Sequence, residues 1–166
     1  MNKLLLIVLL LTMTVLLQAA QLEEEVAYHT FFRTKNAVNR AAVAAAQQLD
    51  AAALAEGRIM IDSHEARHTA EWYLQRNMGL DSQHRPRLDG FLKHRIEWLR
   101  FEVINEGPFP YRYYDPSINY EVVLEKPGVI AVIRLRYPGV FLWYDELEWE
   151  IKATGEWFGE PMSMPL

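Results

Sequence analysis

The chain has no cysteine among its 166 residues. That removes disulfides, thiolate nucleophiles and thiolate metal sites together. Glycine and proline are missing from Met1 to Glu56: the first glycine is Gly57, and the first of eight prolines is Pro86. With neither residue to break it, this stretch predicts one long helix. A basic face is also lacking. Residues 1–57 carry 4 positive and 5 negative groups, residues 58–106 carry 8 and 8, and residues 107–166 carry 5 and 9, giving a net charge of −5. That balance argues against a nucleic-acid partner.

What the N-terminus has instead is an apolar run. Lys3 is followed by Leu4 to Leu17 without a charge. One cation ahead of such a run fits a secretory signal, with cleavage near Ala20 as one reading. Counted to Leu22, the run approaches the ~20 residues that span a bilayer. Its flanks are polarised, with Lys3 on one side and Glu23-Glu24-Glu25 on the other. Lysine and the free amine favour a cytoplasmic N-terminus and an extracytoplasmic remainder. The anchor candidates are Leu4, Leu6, Ile7, Val8, Leu10, Leu11, Val15 and Leu17, and the bilayer is the first expected partner.

The second half of the predicted helix is rich in alanine. Ala37, Ala41, Ala42, Ala45, Ala46, Ala52 and Ala53 are candidates for close helix packing, because small side chains let backbones approach. Alanine is also simply the best helix former. Both readings stay open.

Beyond Gly57 the pattern predicts shorter elements. Asp62 should cap a second helix, with Glu65 at capping-box spacing, Ala66, Ala70, Tyr73 and Leu74 as its apolar face, and Asn77-Met78-Gly79 as its end. Leu88, Phe91, Leu92, Ile96, Leu99 and Val103 recur at helical spacing and predict a third helix over Leu88–Ile104. The period then changes to two. Ile118, Tyr120, Val122 and Leu124 alternate, Lys126-Pro127-Gly128-Val129 suits a type II turn, and Val129–Tyr137 returns. Pro138-Gly139 makes another turn, and Leu147, Trp149, Ile151 and Ala153 alternate with Glu148, Glu150, Lys152 and Thr154. The expected fold is α+β: a long N-terminal helix, apolar then amphipathic, two further helices, and a C-terminal antiparallel meander of three or four strands. The expected divisions are 1–22 (anchor), 23–57 (alanine-rich helix), 58–106 (helical), 107–158 (sheet) and 159–166 (tail).

His64-Glu65-Ala66-Arg67-His68 matches H-E-x-x-H on a predicted helix. In zinc peptidases that spacing puts two imidazoles on one face, with the glutamate as general base. The metal candidates are therefore His64, His68 and Glu65, with Glu71, His84 or Glu97 as a third ligand. Against this stands the ordinary reading of a polar helix face with Glu65 as part of a cap. His29 and His94 are isolated. Tyr111, Tyr113, Tyr114, Trp143, Tyr144, Trp149 and Trp157 make the last third aromatic, as strand packing or as a contact surface for a partner. No motif calls for a cofactor, and none is expected.

A long helix, apolar then amphipathic, followed by an antiparallel sheet resembles type IV pilins and pseudopilins. The segment Lys35-Asn36-Ala37-Val38-Asn39-Arg40-Ala41-Ala42-Val43-Ala44-Ala45-Ala46 resembles the alanine-rich helix of tight-adherence (Tad) pilus minor pilins. Leu54-Ala55-Glu56-Gly57-Arg58-Ile59, with Ile61-Asp62 and Ala66 after it, is similar to what trails that helix in related envelope proteins. The family carries a leader ending in Gly or Ala and a glutamate at the fifth mature position; here no glycine precedes Gly57, and Leu5 is fifth. The resemblance implies a non-enzymatic, membrane-anchored structural component whose partners are pilin-like or envelope subunits, its own copies included. The alternatives are a membrane-tethered zinc hydrolase using His64, His68 and Glu65, and a secreted binding module.

Overall fold

The computed structural model describes residues 2–87, 92–139 and 146–159. Helix α1 covers Asn2–Ala45, α2 covers Ala51–Ala55 and α3 covers Ser63–Met78. Five strands follow: β1 (Glu97–Ile104), β2 (Tyr111–Asp115), β3 (Tyr120–Leu124), β4 (Gly128–Tyr137) and β5 (Leu147–Glu156). The fold is α+β, with a long N-terminal helix, two further helices, a three-stranded antiparallel sheet and a two-stranded one.

The long helix ends at Ala45 rather than Glu56. No glycine or proline breaks it. Asp50 does so, by capping a new helix with its carboxylate, which accepts from Ala52 N (2.8 Å) and Ala53 N (3.0 Å). The linking segment is held as a short ladder: Asp50 N donates to Met60 O (2.8 Å) and Asp62 N to Gln48 O (2.7 Å). A competent N-cap and a paired backbone outweigh continued propensity for the few residues between. Gly57 (φ +77°) and Gly79 (φ +66°) adopt the left-handed conformation expected past a helix end. Asp62 caps α3 as expected, accepting from His64 N and Glu65 N. Glu65 does not return the bond, because the Asp62 amide is already given to Gln48.

The third predicted helix is overturned over its described C-terminal part. Glu97–Ile104 is a strand, β1, paired antiparallel with β4; Leu88 and Phe91 lie outside the described residues. The register skips Leu99, a bulge between Trp98 and Arg100. Leu99, part of the expected helical face, is the extra residue, and it puts Trp98 and Phe101 on the same face at a spacing of three. Trp98 and Phe101 pack edge to face at 5.7 Å. The accompanying α2 at Ala51–Ala55 was hidden inside the supposed long helix.

The sheet order is β1-β4-β5, with β2-β3 forming a separate hairpin. The expected meander therefore pairs differently: β3 turns back onto β2, not onto β4. Lys126-Pro127-Gly128 crosses from one sheet to the other, and Pro127 O accepts from Trp157 N at 2.9 Å. Central β4 is buried on both faces. Val129, Ala131, Ile133 and Leu135 meet α1 and α3, while Ile130 and Val132 meet the hairpin residues Tyr113, Ile118 and Leu124. The result is three layers: helices, sheet, hairpin. Arg100 binds Asp115 at 2.6 Å and Tyr113 Oη donates to Glu102 at 3.0 Å, tying hairpin to sheet. Burial, then the Glu102 bond, pushes the Tyr113 phenol up to about 12.

Strand β5 lies along α1 in the same direction. Phe31 meets Trp149 with ring centroids 5.6 Å apart, Ala42 meets Gly155, and Gln47 Nε2 donates to Glu156 O at 3.0 Å. The match holds because the 16 residue steps from Phe31 to Gln47, all but the last two helical, and the seven from Trp149 to Glu156 each advance about 23–24 Å. Away from that seam, Asn105 ties the β1 exit to the α2–α3 linker. Its side chain accepts from Ile61 N (2.7 Å) and donates to Ile61 O (2.9 Å).

Two substitutions test these joints in detergent-solubilised protein by denaturant unfolding. A Cβ on Gly155 would overlap the Ala42 carbonyl, so Gly155→Ala should destabilise by about 1–3 kcal/mol; Gly57→Ala, in open space, should produce only the milder strain of a left-handed residue. Asn105→Ala leaves the Ile61 amide and carbonyl unpaired and should destabilise by about 1–3 kcal/mol.

Candidate functional site

Helix α1 has two environments. Leu4, Leu6, Ile7, Val8, Leu10, Leu11, Val15 and Leu17 are all exposed, Leu4 at 68%. Its two hydroxyls in this run bond to the preceding turn, Thr12 to Val8 O and Thr14 to Leu10 O, both at 2.9 Å, which suits an apolar surrounding. Among the described residues it is the one helix long and apolar enough to cross a membrane. A continuous apolar surface of this size needs a cover.

The second environment begins at Glu23. By sequence Glu23, Glu24 and Glu25 form one polar flank, but Glu23 is 2% exposed while the other two face solvent. Glu23 shares the helix face of Thr34, Ala37, Val38 and Ala41, all buried; extending that face backwards would have found it. Its charge lies close enough to Tyr137 to act on it: burial, and then Glu23, holds the phenol above its ordinary value. Tyr137 in turn stacks on Trp149, with centroids 5.6 Å apart and ring planes at 23°.

Six of the seven packing alanines are buried: Ala37, Ala41, Ala42, Ala45, Ala46 and Ala53. Those on α1 let the chain's own helix approach its own α3 and sheet. Ala52 is exposed. The exposed side of α1 instead presents Tyr28, Phe32 and Val43. Among the aromatics, Tyr113 is buried, Trp149 and Trp157 are half-buried and Tyr114 is exposed; Trp143 and Tyr144 lie outside the described residues.

The H-E-x-x-H motif sits on the first turns of α3. The His64 side chain is 88% exposed and its Nδ1 lies 3.3 Å from Glu65 Oε1; His68 is exposed as well. The three candidate third ligands are engaged elsewhere. Glu71 binds Arg67 Nε at 2.6 Å, Glu97 lies 3.6 Å from Arg95 Nε, and His84 Nε2 accepts from Trp98 Nε1 at 3.4 Å. Among the described residues, no three His, Asp or Glu side chains converge on a point that could hold a metal ion. His29 pairs with Glu25, and His94 with Glu146, each at 3.7 Å.

Open depressions flank α1. One of about 400 Å³ is lined by His29, Arg33, Asn36, Arg40 and Asn77. Another of about 440 Å³ is lined by Val43, Gln47, Tyr73 and Phe158. Neither gathers the convergent acid, base and nucleophile that catalysis requires.

No family model, curated protein or solved structure matches the chain.

His84 supplies a pH prediction. It sits at φ +59° with its ring beside Trp98. Burial lowers its proton affinity below the ordinary 6.5, with Arg67 and Arg95 adding to the lowering, while Glu71 and Asp81 oppose it. The unfolded chain then binds a proton that the folded chain refuses. Stability is complete above pH 6.5 and falls as the pH drops through the window just below it. The denaturation midpoint should show this fall in the native chain. In His84→Asn, which tolerates the left-handed backbone, the fall should flatten.

Proposed function

We propose that the chain is a non-enzymatic, membrane-anchored structural protein of the pilin-like kind, a filament subunit or a component associated with pilus assembly. The observation that carries this reading is the single helix α1, bare and apolar over Leu4–Leu17 and then buried as the spine of the α+β head. No hinge separates the two halves, so whatever holds the apolar half also holds the head. Lys3 before the run, with no Lys or Arg after it until Arg33, favours a cytoplasmic N-terminus and a head outside. The resemblance of Lys35–Ala46 to Tad minor pilins supports the pilin-like character.

The native protein tests it. The full chain should stay with membranes through an alkaline carbonate wash, and removal of residues 2–22 should release it. Protease added to intact cells should digest the head. The protein should sediment with sheared filaments or with a pilus assembly complex. A mature N-terminus near Gln21 would end the anchor reading, and recovery only as a free monomer would end the pilin-like one.

A further inference from the structure

The head leaves no stalk between itself and the apolar run. Ala19 and Ala20 are already half-covered and Glu23 is buried, directly after Leu22. The face of α1 opposite that cover carries an aromatic pair. Tyr28 and Phe32 are 62% and 40% exposed, with ring centroids 4.4 Å apart. At 100° per residue they lie about 40° from each other, and Glu23 lies about 140° from Tyr28. The two rings therefore stand on the side of the helix that the head leaves open.

Their height along the helix is informative. Leu4 to Leu22 is 19 residues, about 28 Å of helix against a hydrocarbon core of about 30 Å. Tyr28 is six residues further, about 9 Å, and Phe32 ten residues, about 15 Å. The headgroup layer adds about 5–8 Å on each side. Helical side chains lean back towards the N-terminus, so the Tyr28 ring reaches down into that layer and Phe32 packs behind it. An amphipathic phenol at this depth is what interfacial belts use.

Building on the membrane-anchor reading, we propose that Tyr28, backed by the Phe32 ring packed behind it, binds the headgroup layer of the bilayer on the head's side, fixes the depth of α1, and seats the head directly on the membrane surface. The partner is a lipid interface, continuous with the surface that covers Leu4–Leu17.

The absence of native cysteine makes the test clean. Single nitroxide labels at Leu10→Cys, Leu22→Cys, Tyr28→Cys and Val43→Cys are read in the full chain, reconstituted in phosphatidylcholine vesicles. Collision with oxygen reports lipid, and collision with a water-soluble nickel chelate reports water. The oxygen-to-chelate ratio should be highest at Leu10, several-fold lower at Tyr28, and several-fold lower again at Val43. In Tyr28→Ser/Phe32→Ser the ratio at Leu22 should fall as the helix loses its depth stop. A ratio at Tyr28 equal to that at Val43, with Leu10 still in lipid, overturns this inference and leaves the anchor standing. Water at Leu10 as well overturns both. Protection of Tyr28 from both probes marks a protein on this face and overturns the inference, as does an unchanged ratio at Leu22 in the double variant.

Discussion

The structure depends on the close approach of α1 to β5. Gly155 lets the strand backbone touch the carbonyl of Ala42, and Ala37, Ala41 and Ala45 leave no bulk between the helix and what lies beneath it. Everything else is arranged around that seam. Helix α3 packs beside α1, β4 lies next to β5, and β1 completes the sheet. The free face of the sheet is then closed by the β2-β3 hairpin, through the Arg100–Asp115 pair and the Tyr113–Glu102 hydrogen bond. Since α1 runs on past the head as a bare apolar rod, the same seam that organises the core also couples the head rigidly to whatever covers that rod.

This arrangement assigns the small residues an internal task. An alanine-rich helix suggests packing between subunits, but Ala37, Ala41, Ala42 and Ala45 of α1 are buried inside the chain. The exposed surface of α1 beyond Leu22 is mixed: Glu24 and Glu25, the aromatic Tyr28 and Phe32, Arg33 and Arg40, and Val43.

Much of this was legible in sequence where the signal is local. The apolar run, the Asp62 cap, the Gly57 and Gly79 stops, and the wet-dry alternation of β5 depend on neighbours within a few residues. The misread elements share a different cause. Glu97–Ile104 looked helical because Ile96, Leu99 and Val103 recur at helical spacing, yet Leu99 is the extra residue of a bulge in a strand. β3 looked like the partner of β4 because the turn chemistry at Pro127-Gly128 is real, yet the chain uses it to cross between sheets. Glu23 looked wet because its two acidic neighbours are. The H-E-x-x-H match was equally legible and equally local, and its histidines stand in solvent while Glu71, Glu97 and His84 are bonded to other groups.

By itself the sequence determined an apolar-then-amphipathic N-terminal helix, the α+β class, the capped α3 and the absence of thiol chemistry, because propensity, capping and hydrophobic run length act over a few residues. Only the tertiary structure decided which strands pair, which side of α1 is buried and which carboxylate goes under. Those outcomes turn on long-range contacts: Asn105 with Ile61, Gly155 with Ala42, Trp149 with Phe31. Each joins residues 44 or more positions apart, and no local pattern encodes their meeting.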